Sequence, residues 1–208
     1  MVEYFIGVDL GQKRDYTAVA IVERNGDHLY LRHLEHFKLN TSYKTVADRI
    51  LQLHHMTSAH GPATLMIDAT GVGLSVLDDL ESRGLKPVGI TITGGRAIST
   101  TGNRSRVPKR DLVVRLLTDL ESGRLEISSG IPDSEKLLDE LLGFRVQISR
   151  RTGQESFGAE SAKHDDFVLA LALACWGAQR VPNLLTQSGR VLGPGQNIVP
   201  QPRAPRKR

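Results

Sequence analysis

The first part of the chain alternates short apolar runs with turn residues. These runs predict strands over residues 3–9, 16–23 and 29–37, because each is rich in β-branched, aromatic or other apolar residues. The dipeptide Asn25-Gly26 between the second and third runs favours a tight hairpin. We therefore expect three meandering strands before the first helix.

A helix and a β-α-β unit are predicted next. Ser42 precedes apolar positions at helical spacing, which is typical of a capped helix start. Further apolar runs predict a strand over 65–68, a helix over 73–83 and a strand over 87–93. Because the fourth strand follows a helical crossover, it should pair in parallel with the first strand, the free edge of the meander. The prediction is an α/β fold with a mixed five-stranded sheet in the order 3-2-1-4-5, flanked by helices.

The remaining elements are helices and one additional β-hairpin. Helices are expected over 109–121 and 133–142, and the hairpin over 144–149 and 155–157. An almost wholly apolar helix follows, and its first turn contains His164, Asp165 and Asp166.

Composition changes sharply near residue 181. Residues 181–208 are rich in proline and glycine, carry five Arg or Lys residues and contain no acidic residue. We expect one folded domain over 1–180 and a basic, disordered tail over 181–208. The tail could be an inert solubilising segment or a tether that binds DNA or a partner protein.

Acidic residues follow two of the predicted strands. Asp9 ends the first strand and Asp68 ends the fourth, so parallel pairing would place both at one edge of the sheet. Neighbouring carboxylates repel each other unless they share a cation or a proton. Asp165 or Asp166 could complete an oxygen-rich site suited to Mg²⁺ or Mn²⁺. Each acid could instead serve only in a turn or as a helix cap.

Basic residues are concentrated in two segments. Five lie between residues 96 and 110 with no acid among them, and two lie at the predicted hairpin turn. The first segment is expected to be a flexible loop, which either is merely solvated or contacts nucleic-acid phosphates. The candidate DNA-binding residues are Arg96, Arg104, Arg106, Lys109, Arg110, Arg150 and Arg151.

Composition narrows the class of protein. The 208 residues carry a net charge of +4 and are 39% hydrophobic, as in ordinary globular domains. Cys175 is the single cysteine, so an intramolecular disulfide is excluded and a reducing cytosol is expected. No apolar run reaches the roughly 20 residues that span a bilayer, and the first residues lack a signal-peptide pattern. We expect a soluble intracellular protein with no membrane partner.

Taken together, the motifs resemble the nuclease domain of the terminase large subunit of tailed bacteriophages. The resemblance covers about residues 3–180 and depends on the order and spacing of the motifs. They are Gly7-Val8-Asp9-Leu10-Gly11, Met66-Ile67-Asp68-Ala69-Thr70-Gly71-Val72-Gly73, Lys109-Arg110-Asp111-Leu112-Val113 and Lys163-His164-Asp165-Asp166 before an apolar helix.

The resemblance implies an RNase H-like fold and a metal-dependent endonuclease that cuts concatemeric double-stranded viral DNA during packaging. The implied catalytic acids are Asp9, Asp68 and the pair Asp165 and Asp166, which would hold two Mg²⁺ or Mn²⁺ ions. Asp9 would bridge the ions, Asp166 is favoured as a direct ligand, and Asp165 would be a second ligand or an orienting group.

The resemblance also implies partners and a location. Full-length members carry an ATPase motor, and this chain contains no G-x-x-x-x-G-K-[ST] motif, so we expect it to be the nuclease portion. The expected partners are double-stranded DNA, the terminase ATPase domain, the small terminase subunit and the portal. The expected location is the host cell cytoplasm, within a motor that the virion does not retain.

Three alternatives stay open at this stage. Holliday-junction resolvases and other RNase H-like nucleases use the same carboxylate chemistry on other substrates. The segment Asp9-Leu10-Gly11 also resembles the first phosphate loop of actin-like ATPases and sugar kinases. A catalytically silent packaging adaptor is the third alternative. Cleavage of linear against branched DNA, nucleotide binding and metal titration would distinguish them.

Overall fold

A computed structural model describes residues 2–11, 15–148, 155–159 and 165–180. His164, Arg150, Arg151 and the predicted tail lie outside these residues. Within them, five helices are found: α1 (Tyr43–Ser58), α2 (Gly73–Ser82), α3 (Lys109–Glu121), α4 (Ser134–Gly143) and α5 (Asp166–Arg180). The described strands are β1 (Val2–Asp9), β2 (Ala18–Asn25), β3 (His28–His36), β4 (Ala63–Asp68), β5 (Val88–Thr93), β6 (Ser99–Thr101), β7 (Arg104–Pro108), β8 (Leu125–Glu126), β9 (Phe144–Ile148) and β10 (Glu155–Ala159).

The predicted strand order is confirmed at the centre of a larger sheet. Eight strands are arranged as β6-β7-β5-β4-β1-β2-β3-β8, and β9 pairs with β10 in a separate hairpin. Strands β1, β2 and β3 form the antiparallel meander, whereas β4 pairs in parallel with both β1 and β5. The α/β fold class is therefore as predicted, with three strands added at the two edges.

The prediction of a flexible loop over residues 96–110 is wrong. Strand β7 pairs in parallel with β5, and β6 folds back on β7 around Gly102, whose φ is +58°. Ser105 and Val107 point into the protein while Arg106 is exposed, so β7 alternates as a half-buried strand does. In the sequence, the arginines of β7 hide this alternation of buried and exposed residues.

Helices cover both faces of the sheet and create two apolar layers. One layer packs α5 against side chains such as Phe5 and Met66, and the other packs α1 and α2 against side chains such as Ile6 and Ile67. Every residue of α5 from Asp166 to Ala178 is buried, as its sequence predicts. Within the residues that the structure describes, no helix has the length and apolarity needed to cross a bilayer.

Gly7 in β1 allows α5 to lie directly against the sheet. A Cβ atom added at Gly7 would overlap the Ala170 carbonyl oxygen and would lie 2.7 Å from the Ala174 backbone nitrogen. Both obstacles are helix backbone, which cannot rotate away as a side chain can. The glycine two residues before Asp9 therefore fixes the distance between β1 and α5.

A buried ionic network joins the three strands of the meander. Arg32 Nε donates to Glu23 Oε2 at 3.0 Å, and the Tyr4 hydroxyl donates to the same oxygen at 3.3 Å. The Arg32 side chain is 1% exposed and that of Glu23 is not exposed at all. Such a pair is costly to break, because removing one partner leaves a buried charge without compensation. The network restrains the strand that ends at Asp9.

Candidate metal centre

Asp9 and Asp68 lie side by side at the carboxyl edge of the sheet. Each is the last residue of its strand, and the parallel pairing of β1 with β4 aligns Val8 with Ile67. Asp9 and Asp68, the residues that follow this pair, are therefore at the next position of the same register. The adjacency expected from the β-α-β crossover is confirmed by this register.

The turn after β4 holds the Asp68 side chain in place. The Thr70 backbone N–H donates to Asp68 Oδ1 at 2.8 Å, and the Ile92 backbone N–H donates to Thr70 Oγ1 at 3.1 Å. A Cβ atom at Gly73 would overlap the Asp68 carbonyl oxygen, so only glycine lets α2 begin so close to β4. The Asp-Ala-Thr-Gly-Val-Gly segment thus orients one carboxylate.

The start of α5 brings Asp165 and Asp166 to the same edge. Asp165 immediately precedes the helix, and its carbonyl oxygen accepts from the Leu169 backbone N–H at 2.9 Å. Asp166 is the first helical residue and is only 4% exposed. The prediction that both residues lie within the first turn therefore holds for Asp166, whereas Asp165 is at the boundary.

Glu140 of α4 caps the beginning of α5. The Phe167 and Val168 backbone N–H groups donate to Glu140 Oε2 at 2.9 and 3.1 Å. Helix starts leave such groups without partners inside the helix, and a carboxylate at this end also interacts favourably with the helix dipole. Sequence reasoning missed Glu140. The available signal was an acid three residues after the buried Leu137, at a position that faces the core.

Electrostatic interactions show that the four aspartates form one cluster. Burial raises the pKa of Asp9 well above its ordinary value, and the charges of Asp68, Asp166 and Asp165 raise it further. Burial also raises the pKa of Asp68, although the hydrogen bonds from Thr70 oppose this. We name Asp9, Asp68, Asp165 and Asp166 the acid cluster. Its members come from β1, from β4 and from the start of α5.

Lys109 joins this cluster instead of lying on an open DNA-binding loop. Its Nζ donates to Asp165 Oδ2 at 2.7 Å. Its charge also lowers the pKa of Asp9 and of Asp68, against the larger effect of burial. The sequence assigned Lys109 to phosphate contact, whereas the structure places it against a carboxylate.

The other predicted DNA-binding residues that the structure describes divide into two groups. Arg104 Nη2 donates to Glu81 Oε2 at 3.2 Å and lies 3.7 Å from Asp78 Oδ1, so its charge is directed toward α2. Three arginines are exposed along the edge that includes β6, β7 and the start of α3. They are Arg96, Arg106 and Arg110.

The acid cluster fits a hard divalent cation by donor chemistry. Carboxylate oxygens are the ligands that Mg²⁺ and Mn²⁺ prefer, and all four side chains of the cluster supply them. Within the described residues, no three His, Cys, Asp or Glu side chains lie in a group that could hold a metal ion as they stand. The acids must therefore come closer together to share an ion, and an ion held by Asp165 would compete with the contact between Asp165 and Lys109.

The pH dependence of stability tests the Glu140 cap. Burial raises the pKa of Glu140 from 4.5 to about 7, with a further contribution from Asp166, although two backbone donors oppose the rise. The folded protein therefore binds this proton more tightly than the unfolded chain. The resulting stability is fully present below pH 4.5 and is lost as pH rises through 7.

Glu140→Gln should flatten this dependence. In EDTA, we expect the variant to be more stable than the wild type by about 2 kcal/mol at pH 8, with the difference shrinking toward pH 5. Urea unfolding at several pH values measures it. Parallel stability curves for the two proteins would contradict the assignment.

The mixed sheet, with acids at the ends of β1 and β4 and at the start of α5, defines the RNase H-like class of fold. Comparison with known proteins identifies the protein family within this fold class. Residues 6–176 match the family described as "Terminase RNaseH-like domain", and the chain belongs to that family.

Two relatives are terminase large subunits of phages that infect Thermus. The chain is 26% identical over 171 residues to the proteins of Thermus phage G20c and of Thermus virus P23-45. The match covers 82% of this chain and 31% of each relative. The chain thus spans about a third of the length of the curated relatives that it matches.

Solved structures show the same fold. The large terminase nuclease of thermophilic phage G20c with bound magnesium is similar to this chain with a TM-score of 0.60 and 23% identity, covering 84% of this chain and 81% of that one. The large terminase nuclease domain of Thermus phage P74-26 gives a TM-score of 0.56 at 22% identity, covering 83% of this chain and 78% of that one. At these identities, the likeness shows the fold alone.

Proposed function

We propose that this chain is the nuclease domain of a terminase large subunit and acts as a metal-dependent endonuclease on double-stranded viral DNA. The observation that carries the proposal is the convergence of the acid cluster at one edge of the sheet. Family membership supports it. Related nuclease structures with bound magnesium and with bound cobalt support a divalent cation as cofactor.

Each acid would have a distinct role in holding two Mg²⁺ or Mn²⁺ ions. Asp9 is central in the cluster, because the charges of the other three all act on it, and would bridge the ions. Asp68, oriented by Thr70, and Asp166, fixed at the start of α5, would each hold one ion. Asp165 would be a further ligand or an orienting group. When bound, the ions would lower the pKa of the attacking water and stabilise the leaving 3′ oxygen.

The exposed arginines would hold the duplex by its phosphates. Arg96 follows β5 and Arg110 follows β7, both parallel to the β4 strand that ends at Asp68, and Arg106 is exposed on β7. Phosphate contacts position DNA without reading its sequence, so we expect weak sequence preference. Arg150 and Arg151 are predicted from the sequence to contact DNA phosphates as well. Arg104 is the weakest candidate, because it already pairs with acids of α2.

The role in the whole packaging motor is proposed from the family. The activity would cut concatemeric DNA when packaging begins and ends, in the host cell cytoplasm. The partners would be the terminase ATPase domain, the small terminase subunit and the portal. We propose that residues 181–208 form a basic tail outside the folded domain. This tail would either be an inert solubilising segment or contact DNA or the portal.

A plasmid cleavage assay tests the proposal. We expect nicking and then linearisation of supercoiled DNA with Mg²⁺ or Mn²⁺, and no cleavage in excess EDTA. Linear duplex and a four-way junction of equal length should be compared at matched concentration. A strong preference for the junction would favour a resolvase. No cleavage with any divalent ion would favour a silent adaptor, and tight ATP binding would favour the actin-like alternative.

A further inference from the structure

Lys109 is placed at the acid cluster by the strands that precede it. It is the first residue of α3 and follows β7 directly. Strand β7 pairs in parallel with β5, which pairs in parallel with β4, the strand that ends at Asp68. Parallel strands present their carboxyl ends at the same edge, so the residue after β7 emerges on the side of the sheet that carries the acids.

Its contacts hold the ammonium group among the carboxylates. The Lys109 and Asp165 side chains are 26% and 22% exposed, so their 2.7 Å contact is partly shielded from water. The Lys109 Nζ also lies 5.9 Å from the centre of the Phe144 ring, within the range of a cation–π interaction. The charge of Lys109 acts on both Asp9 and Asp68.

We propose that Lys109 is a positioning residue that acts as an internal counter-cation of the acid cluster and competes with divalent ions for it. This inference rests on the proposed function, because it assigns the cluster to metal binding. The charges of Asp68, Asp165 and Asp166 act unfavourably on the buried Asp9 carboxylate in the metal-free protein, and one ammonium group relieves part of this repulsion. A divalent ion that recruits Asp165 must replace the contact with Lys109.

A purely structural ion pair predicts a different result. If Lys109 only ties α3 to the start of α5, removing its charge would lower stability equally with and without metal. If Lys109 is a counter-cation that competes with metal, removing its charge lowers the stability of the metal-free protein but raises its affinity for metal. The metal-free protein becomes less stable, and less divalent ion is needed to stabilise it. Metal binding measured without DNA separates these two outcomes and does not depend on cleavage activity.

The experiment is an Mn²⁺ titration followed by thermal unfolding, starting from protein in EDTA that is then dialysed. For Lys109→Met we expect a lower melting temperature without metal and half-maximal stabilisation at a roughly tenfold lower Mn²⁺ concentration, the effect of about one pK unit of electrostatic interaction. Lys109→Arg keeps the charge and should follow the wild type. Lys44→Met removes an exposed lysine from α1 and controls for net charge.

Each outcome bears on the inference. An unchanged or higher Mn²⁺ midpoint in Lys109→Met, with clear binding by the wild type, overturns the counter-cation role and leaves the nuclease proposal standing. No stabilisation of any of these proteins by Mn²⁺ overturns the metal site and the inference together. If Lys109→Met does not fold, Lys109→Gln removes the same charge while keeping a polar side chain, and the same midpoint decides.

Discussion

Replacing Asp9 by Asn is expected to reduce Mg²⁺-dependent DNA cleavage on the order of a thousandfold, because the central carboxylate of the proposed metal site is lost. Asn has nearly the same shape, so the strand end and its packing should be retained. Asp9 is only 8% exposed, and burial together with three neighbouring acids raises its pKa. A neutral amide relieves that repulsion. The melting temperature in EDTA should therefore equal or exceed that of the wild type.

The combination of lost activity and retained stability is what distinguishes this prediction. Cleavage rates on supercoiled plasmid and thermal unfolding in EDTA are measured on the same protein sample. Asp27→Asn is the matched control, because Asp27 is exposed in the turn between β2 and β3. Wild-type cleavage by Asp9→Asn would remove Asp9 from the mechanism. A large loss of stability would show that the carboxylate is structural.

Gly7→Ala is expected to destabilise the protein by more than about 3 kcal/mol, near the upper end of the cost of overpacking a core. The added methyl group would overlap the Ala170 carbonyl oxygen and crowd the Ala174 backbone nitrogen. Helix α5 must then move away from β1. Because Asp166 is carried by α5 and Asp9 by β1, the same displacement should reduce cleavage even where the protein is still folded.

Urea unfolding and cleavage at low temperature test this prediction. Gly94→Ala is the control, since a Cβ atom at Gly94 meets nothing within 4 Å and the residue is exposed. It should leave the free energy of unfolding within about 0.5 kcal/mol of the wild type. Equal stability of Gly7→Ala and Gly94→Ala would mean that the close approach of α5 to β1 is not needed.

The centre of the sheet was predictable because local pattern and chain connectivity agree there. The apolar runs that end at Asp9 and Asp68 mark buried strands. A strand that follows a helical crossover pairs in parallel, and the first strand is the free edge of the meander for the fourth to join. Adjacent parallel strands then bring the two aspartates together. The buried helix that starts at Asp166 was equally clear, because its residues are apolar on all sides.

Features that depend on contacts between distant segments were not predictable. Strand β8 has only two residues, Leu125 and Glu126, and exists because β3 offers an edge to pair with. The position of Lys109 follows from the pairing of β7 with β5, which arginine-rich local sequence does not indicate. Glu140 caps a helix that begins 26 residues later in the chain. Helical spacing places Glu140 on the core face of α4, but its partner at such a separation is set by tertiary packing and leaves no signal in the sequence.

The acid cluster draws its carboxylates from β1, from β4 and from the start of α5, the last helix of the described chain. During translation, a ribosome-bound polypeptide can form the β1–β2–β3 meander long before Asp165 and Asp166 have been synthesised. Until that helix docks over Gly7, a nascent protein holds only two of the four members of the acid cluster. The order of the elements therefore delays completion of the acid cluster until α5 has been synthesised.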